Sequence, residues 1–133
     1  MVANGSTELI TWINERLISK DLVTDVPTFG RWTDNASELG RVIHPYFRHQ
    51  SNGFRLDIAN LVRFVRARGA RALAICNPNN PTGAFLDRDD ILHLLDETRD
   101  LDVVVIDESF VEFVSERSIP TVAEEVVNYD NVI

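Results

Sequence analysis

The feature that most constrains this chain is an alternation, in which stretches with apolar residues at helical spacing are separated by short β-branched runs. Apolar positions three and four residues apart line one face of a helix, whereas a strand buried on both faces reads as a continuous apolar run. The pattern predicts an α/β fold: a mostly parallel sheet with helices on both sides, a three-layer α/β/α arrangement. The first predicted helix covers residues 6–19, with Leu9, Ile10, Ile13 and Leu17 on one face, an Asn4-Gly5 turn before it and Ser6 as its cap. Strands are expected at 22–26, stopped by Pro27, and at 41–47, with a short helix at 33–39 between them. Asp57 caps a helix carrying Ile58, Leu61, Val62 and Val65, and Gly69 ends it. A buried strand at 72–76 leads through a polar loop to a helix capped by Asp87, with Ile91, Leu94 and Leu95 on its apolar face. Residues 102–106 are the clearest strand, 121–128 predict a helix, and 131–133 read as the start of another strand.

Composition narrows the function classes. A length of 133 residues suits one domain, and 44% hydrophobic with 26% charged residues is the balance of a globular protein. The formal net charge is −8, and Arg63, Arg66, Arg68 and Arg71 read as a solvated edge, which excludes nucleic acid and anionic membrane as expected partners. No apolar run, that at 103–106 included, is long enough to span a bilayer. Cys76 is the only cysteine, so neither an intrachain disulfide nor a thiolate metal cluster can form, in keeping with a reducing cytoplasm. His44, His49 and His93 lack metal-ligand spacing, and no metal site is expected. Lys20 is the only lysine. Any lysine-dependent chemistry within these residues must use it.

In an open parallel sheet, ligands bind beyond the carboxyl ends of the strands. Two distinctive segments lie there: Asn77-Pro78-Asn79-Asn80-Pro81-Thr82-Gly83 and Asp107-Glu108-Ser109-Phe110. The helix start Asn4-Gly5-Ser6-Thr7-Glu8 offers free N–H groups to an anion such as phosphate, and Pro27-Thr28-Phe29 holds an aromatic ring just after a strand. An anion cradle, a stacking face, an amide donor and a carboxylate suit a phosphorylated aromatic heterocycle with a protonatable ring nitrogen. Taken singly, each has a plainer reading: a turn-forming loop, a helix cap, core aromatics at Phe29 and Trp32. Asp107-Glu108 after an apolar strand also fits a nucleotide hydrolase, but no GxxxxGK[ST] loop accompanies it. The agreement of four segments in order and placement favours the heterocycle.

In that order the segments resemble the fold type I pyridoxal-phosphate enzymes of the class I and II aminotransferase group, most closely the histidinol-phosphate aminotransferase and threonine-phosphate decarboxylase branch. The likeness covers essentially the whole chain, and its most specific element is NPNNPTG at 77–83. It implies that Gly5, Ser6 and Thr7 hold the phosphate of pyridoxal 5′-phosphate, Phe29 stacks on its ring, Asn80 hydrogen-bonds the ring 3-oxygen, and Asp107 pairs with the pyridinium N–H. It further implies transfer of an amino group between an amino acid and a 2-oxo acid by an intact, cytoplasmic homodimer. The alternatives are decarboxylation of a phosphorylated amino acid and a non-catalytic interaction domain on the same scaffold. Where many members carry a tyrosine that donates to the 3-oxygen, this chain has Phe110. The Schiff-base lysine of the family belongs downstream of 131–133, and Lys20, at the end of the first helix, does not replace it. Residues 1–133 are therefore expected to be the central part of an incomplete large domain, lacking the N-terminal arm, the lysine segment and the C-terminal small domain. No catalytic residue is assigned, and the chain alone is expected to be catalytically silent.

Overall fold

The computed structural model describes residues 3–115 and 120–133. Helix α1 spans Gly5–Arg16 and is opened by Asn4, so Ser6 lies inside the first turn and is not the cap. The Asn4 side chain makes no cap bond either. Instead the Glu8 carboxylate reaches back to accept from the Asn4 backbone N–H at 2.6 Å, placing negative charge at the positive end of the helix dipole.

Strand and helix then alternate: β1 (Asp21–Val26), α2 (Arg31–Glu38), β2 (Val42–Phe47), α3 (Ile58–Arg68), β3 (Ala72–Cys76), α4 (Arg88–Glu97) and β4 (Val103–Asp107). The caps of α3 and α4 are the expected ones. Asp57 accepts from the Asn60 N–H and Asp87 from the Asp90 N–H, each at 2.9 Å. Gly69 ends α3 at φ +62°, a left-handed conformation that costs glycine little. The strands form one sheet in the order β2-β1-β3-β4, and every neighbouring pair is parallel.

Successive side chains on a strand point to opposite faces, which sorts the core into two clusters. Val23, Leu73, Ile75, Val104 and Ile106 meet α3 and α4. Leu22, Ala72, Ala74, Val103 and Val105 meet Ile10 of α1 and Trp32 and Ala36 of α2. Helices thus cover both faces, as the three-layer expectation required. On the second face the small Ala72 and Ala74 share their cluster with the large indole of Trp32.

Two features of the tail have different outcomes. Val132 forms a parallel bridge with Val104, with the Val104 N–H donating to the Asn131 carbonyl at 2.7 Å, so 131–133 runs along β4 as a strand would. The helix expected at 121–128 is reduced to a 3₁₀ turn at Val126–Asn128. Its first residues serve the fold differently, because Glu108 accepts from the Thr121 hydroxyl at 2.7 Å and the Val122 N–H at 2.8 Å while the Val122 side chain enters the core. These ties hold Thr121 and Val122 against the end of β4. The arginine edge is as expected: Arg66 pairs with Glu97 and Arg71 with Asp102, all exposed. Among the described residues, no helix is long and apolar enough to cross a membrane.

The order of the strands matters for the site. From β1 the chain moves outward through α2 to β2, then returns past β1 through α3 to β3. The loops after β1 and β3 therefore leave a topological switch point, the position where open α/β sheets bind ligands.

Candidate functional site

Asp107 is the last residue of β4 and pairs in register with Cys76, the last residue of β3. The Asn77 N–H donates to the Asp107 carbonyl at 2.9 Å, so both loops emerge side by side from one end of the sheet. The Asp107 carboxylate is held at both oxygens. Oδ1 accepts from the backbone N–H of Ser109 at 3.0 Å and from its hydroxyl, and Oδ2 accepts from the indole Nε1–H of Trp32 at 3.0 Å. Asp107 and Trp32 line a cavity of about 200 Å³ that also takes in Ser6, Leu9 and Ile13 of α1 and Glu108. Of the expected phosphate-binding residues, Ser6 faces the same cavity as Asp107. Gly5 and Thr7 are exposed on the turn beside it and do not line it.

The loop after β3 divides its asparagines between structure and site. Asn77 clamps Leu86, donating to its carbonyl at 3.2 Å and accepting from its N–H at 2.7 Å. The Asn79 amide donates to Asp25 at 3.0 Å and to the Pro27 carbonyl at 3.1 Å, and its Oδ1 accepts from the Thr82 hydroxyl at 2.6 Å. Asp25 in turn forms a buried ion pair with Arg48 at 2.6 Å. Burial pushes the Asp25 carboxyl above the usual range, against the opposing pull of Arg48. This network ties the loop after β3 to the ends of β1 and β2. With Asn77 and Asn79 so occupied, the Asn80 side chain is the one of the three without a hydrogen-bond partner among the described residues. It lines a separate cavity of about 420 Å³ with Pro78, Pro81, Phe85, Phe110 and Phe113. Phe29 lines neither cavity and packs, half-buried, against the cluster that contains Trp32.

Comparison with known proteins gives the family. The family described as aminotransferase class I and II matches residues 1–133. The chain belongs to that family. The histidinol-phosphate aminotransferase of Clostridium kluyveri is 34% identical over 135 residues, covering 100% of this chain and 36% of that protein. The L-serine phosphate decarboxylase of Campylobacter jejuni is 26% identical over 116 residues, 87% of this chain and 30% of that protein. A solved decarboxylase structure from Sulfurospirillum multivorans superposes with a TM-score of 0.90 at 23% identity, over 99% of this chain and 38% of that one, which establishes the fold. The chain thus spans about a third of the length of these relatives.

Class I and II aminotransferases are pyridoxal-phosphate-dependent enzymes, and the donor set here suits that cofactor. A carboxylate and a helix start share one cavity, as a protonated ring nitrogen and a phosphate carried on one molecule require. The Asn80 amide, unpaired among the described residues, stands on the neighbouring loop. Sequence reasoning missed two participants: Trp32, read only as a core aromatic, and the Asp25–Arg48 pair, which no local pattern announces.

The position of Cys76 beside Asp107 carries a prediction of its own. Its thiol is buried, lies 3.2 Å from the Pro78 carbonyl, and is pushed up to about 12 by burial and then by the negative charge of Asp107. Thiols react as thiolates, so native protein should resist a maleimide at pH near 8 while denatured protein takes up one equivalent. Mass spectrometry of both samples checks this, and rapid labelling of the native chain would contradict it.

Proposed function

We propose that the chain is the central part of the large domain of a pyridoxal-phosphate-dependent enzyme that transfers an amino group between an amino acid and a 2-oxo acid, acting as a cytoplasmic homodimer. The observation that carries this reading is the cavity shared by Asp107 and Ser6, flanked by the free amide of Asn80 on the adjoining loop. Bound pyridoxal phosphate supplies an electron sink for a carbanion formed on the substrate. The residues of this chain hold and orient it. The first turn of α1, Gly5 to Thr7, would hold the phosphate with backbone N–H groups; Asp107 would pair with the ring N–H; Asn80 would donate to the 3-oxygen; Phe29, just after β1, would stack on the ring.

Lys20 does not take part. It precedes β1, at the amino end of the sheet, and the strand's six residues put roughly 20 Å between it and the carboxyl ends.

The decarboxylase relatives favour a second reading, removal of carbon dioxide from a phosphorylated amino acid. Phe110 stands where many family members have a tyrosine, and this chain therefore lacks that hydroxyl.

Titration of the full chain with pyridoxal phosphate, followed by absorbance and equilibrium dialysis, tests the proposal. Saturable binding at one equivalent is expected, with no borohydride-fixed adduct on Lys20 by peptide mass spectrometry. Absence of binding at millimolar cofactor would replace the proposal with a non-catalytic interaction domain. A stoichiometric adduct on Lys20 would overturn the role denied to that residue.

A further inference from the structure

We infer that Trp32 is a positioning residue for the cofactor's ring nitrogen, acting through Asp107; the inference rests on the cofactor reading above. Trp32 sits in the first turn of α2 with 1% of its surface exposed, and its Nε1–H donates to Asp107 Oδ2 at 3.0 Å. Ser109 occupies Oδ1 with its backbone N–H and hydroxyl. A carboxylate oxygen accepts at two lone-pair sites, so Trp32 uses one on Oδ2 and leaves the other open among the described residues. Both side chains line the cavity that reaches Ser6 at the start of α1.

The terminal torsion of aspartate is broad, so an unheld carboxylate samples many orientations. The indole fixes one of them. It is also suited to the task by charge. An arginine or lysine in its place would hold the carboxylate but neutralise it, whereas the indole N–H is a donor only and carries no charge. The carboxylate keeps its full charge for a ring N–H. Because Trp32 is packed among Ile10, Leu22, Ala36, Ala72 and Ala74, the donor is anchored to both α1 and the sheet.

The test separates action on the ring nitrogen from general packing. Wild type, Trp32→Phe, and a chain with benzothienylalanine at position 32 on a Trp12→Phe background are titrated with pyridoxal phosphate. They are also titrated with its 1-deaza analogue, which has a carbon in place of the ring nitrogen. Benzothienylalanine keeps the shape of the indole but has sulfur for the N–H, so it covers the case in which the phenylalanine variant fails to fold. Both variants should bind pyridoxal phosphate about tenfold more weakly than wild type and bind the deaza analogue as wild type does. Equal losses for the two ligands, or no loss for either, would overturn the positioning role while leaving the cofactor reading intact. Failure of wild type to bind pyridoxal phosphate would remove the cofactor reading and this inference with it.

Discussion

Replacing Arg48 with methionine is expected to destabilise the fold by about 3–5 kcal/mol, a large share of the roughly 5–15 kcal/mol that holds a domain of this kind together. The cause is the carboxylate left behind. Asp25 and Arg48 are paired at 2.6 Å with side chains 0% and 1% exposed, and without Arg48 the Asp25 charge keeps, among the described side chains, only the Asn79 amide. Losing both charges together should cost much less. The double variant Asp25→Leu/Arg48→Met leaves Asn79 its bond to the Pro27 carbonyl and buries hydrocarbon where ions stood, so most of the stability should return. Acidity gives an independent check. Burial already lifts the Asp25 carboxyl above its ordinary value, and removing Arg48 takes away the pull that opposes it. A carboxyl whose folded value exceeds its unfolded one binds its proton more tightly in the folded state, so folding gains as pH falls. Arg48→Met should therefore recover stability as pH drops through that raised value towards the ordinary aspartate value of about 4. Urea midpoints at neutral and mildly acidic pH measure all three chains. A single variant as stable as wild type, or one that weakens further on acidification, would contradict this account.

The pair also marks where sequence reading stops. Helices α3 and α4 were legible because Asp57 and Asp87 each open a stretch whose apolar residues, from Ile58 and from Ile91 onward, recur at helical spacing, and a cap is a local interaction. Strands β3 and β4 were legible because burial on both faces leaves an unbroken apolar run. Asp25 and Arg48 meet only because β1 and β2 are adjacent and parallel, with Asp25 opposite Tyr46 and Arg48 just beyond the strand. Nothing near either residue encodes that meeting. The same holds for residues 121–128, whose helical spacing is overridden by distant anchoring to Glu108. In the site, the motif at 77–83 was recognisable as a unit, but its division of labour was not. Asn77 and Asn79 are consumed by Leu86, Asp25, Pro27 and Thr82, and only the geometry distinguishes them from Asn80. Trp32 was legible as core and is core; its second role depends on a strand end 75 positions away in sequence.

The largest effect on cofactor binding is expected at Asp107. Asparagine there has nearly the same shape but presents one oxygen and one NH₂ group where each carboxylate oxygen now meets a group that can only donate, the Ser109 backbone N–H on one side and the Trp32 indole N–H on the other. Whichever way the amide turns, one donor meets another donor, and the negative charge that pairs with the pyridinium N–H is gone. A hydrogen bond to a charged group contributes about 1.5–3 kcal/mol, so Asp107→Asn should weaken pyridoxal phosphate binding by about 10- to 100-fold. Asn80→Ala removes a bond from a neutral amide that is only partly buried and has no partner among the described residues to leave unsatisfied. Its loss should stay below about tenfold. Dissociation constants for the three chains, measured where urea unfolding shows each to be folded, fix the order. That order follows from charge, since the contact that carries a formal charge on both sides must exceed the one that does not. Asp107→Asn binding as wild type, or losing less than Asn80→Ala, would mean that the carboxylate at the end of β4 is not where the ring nitrogen is held.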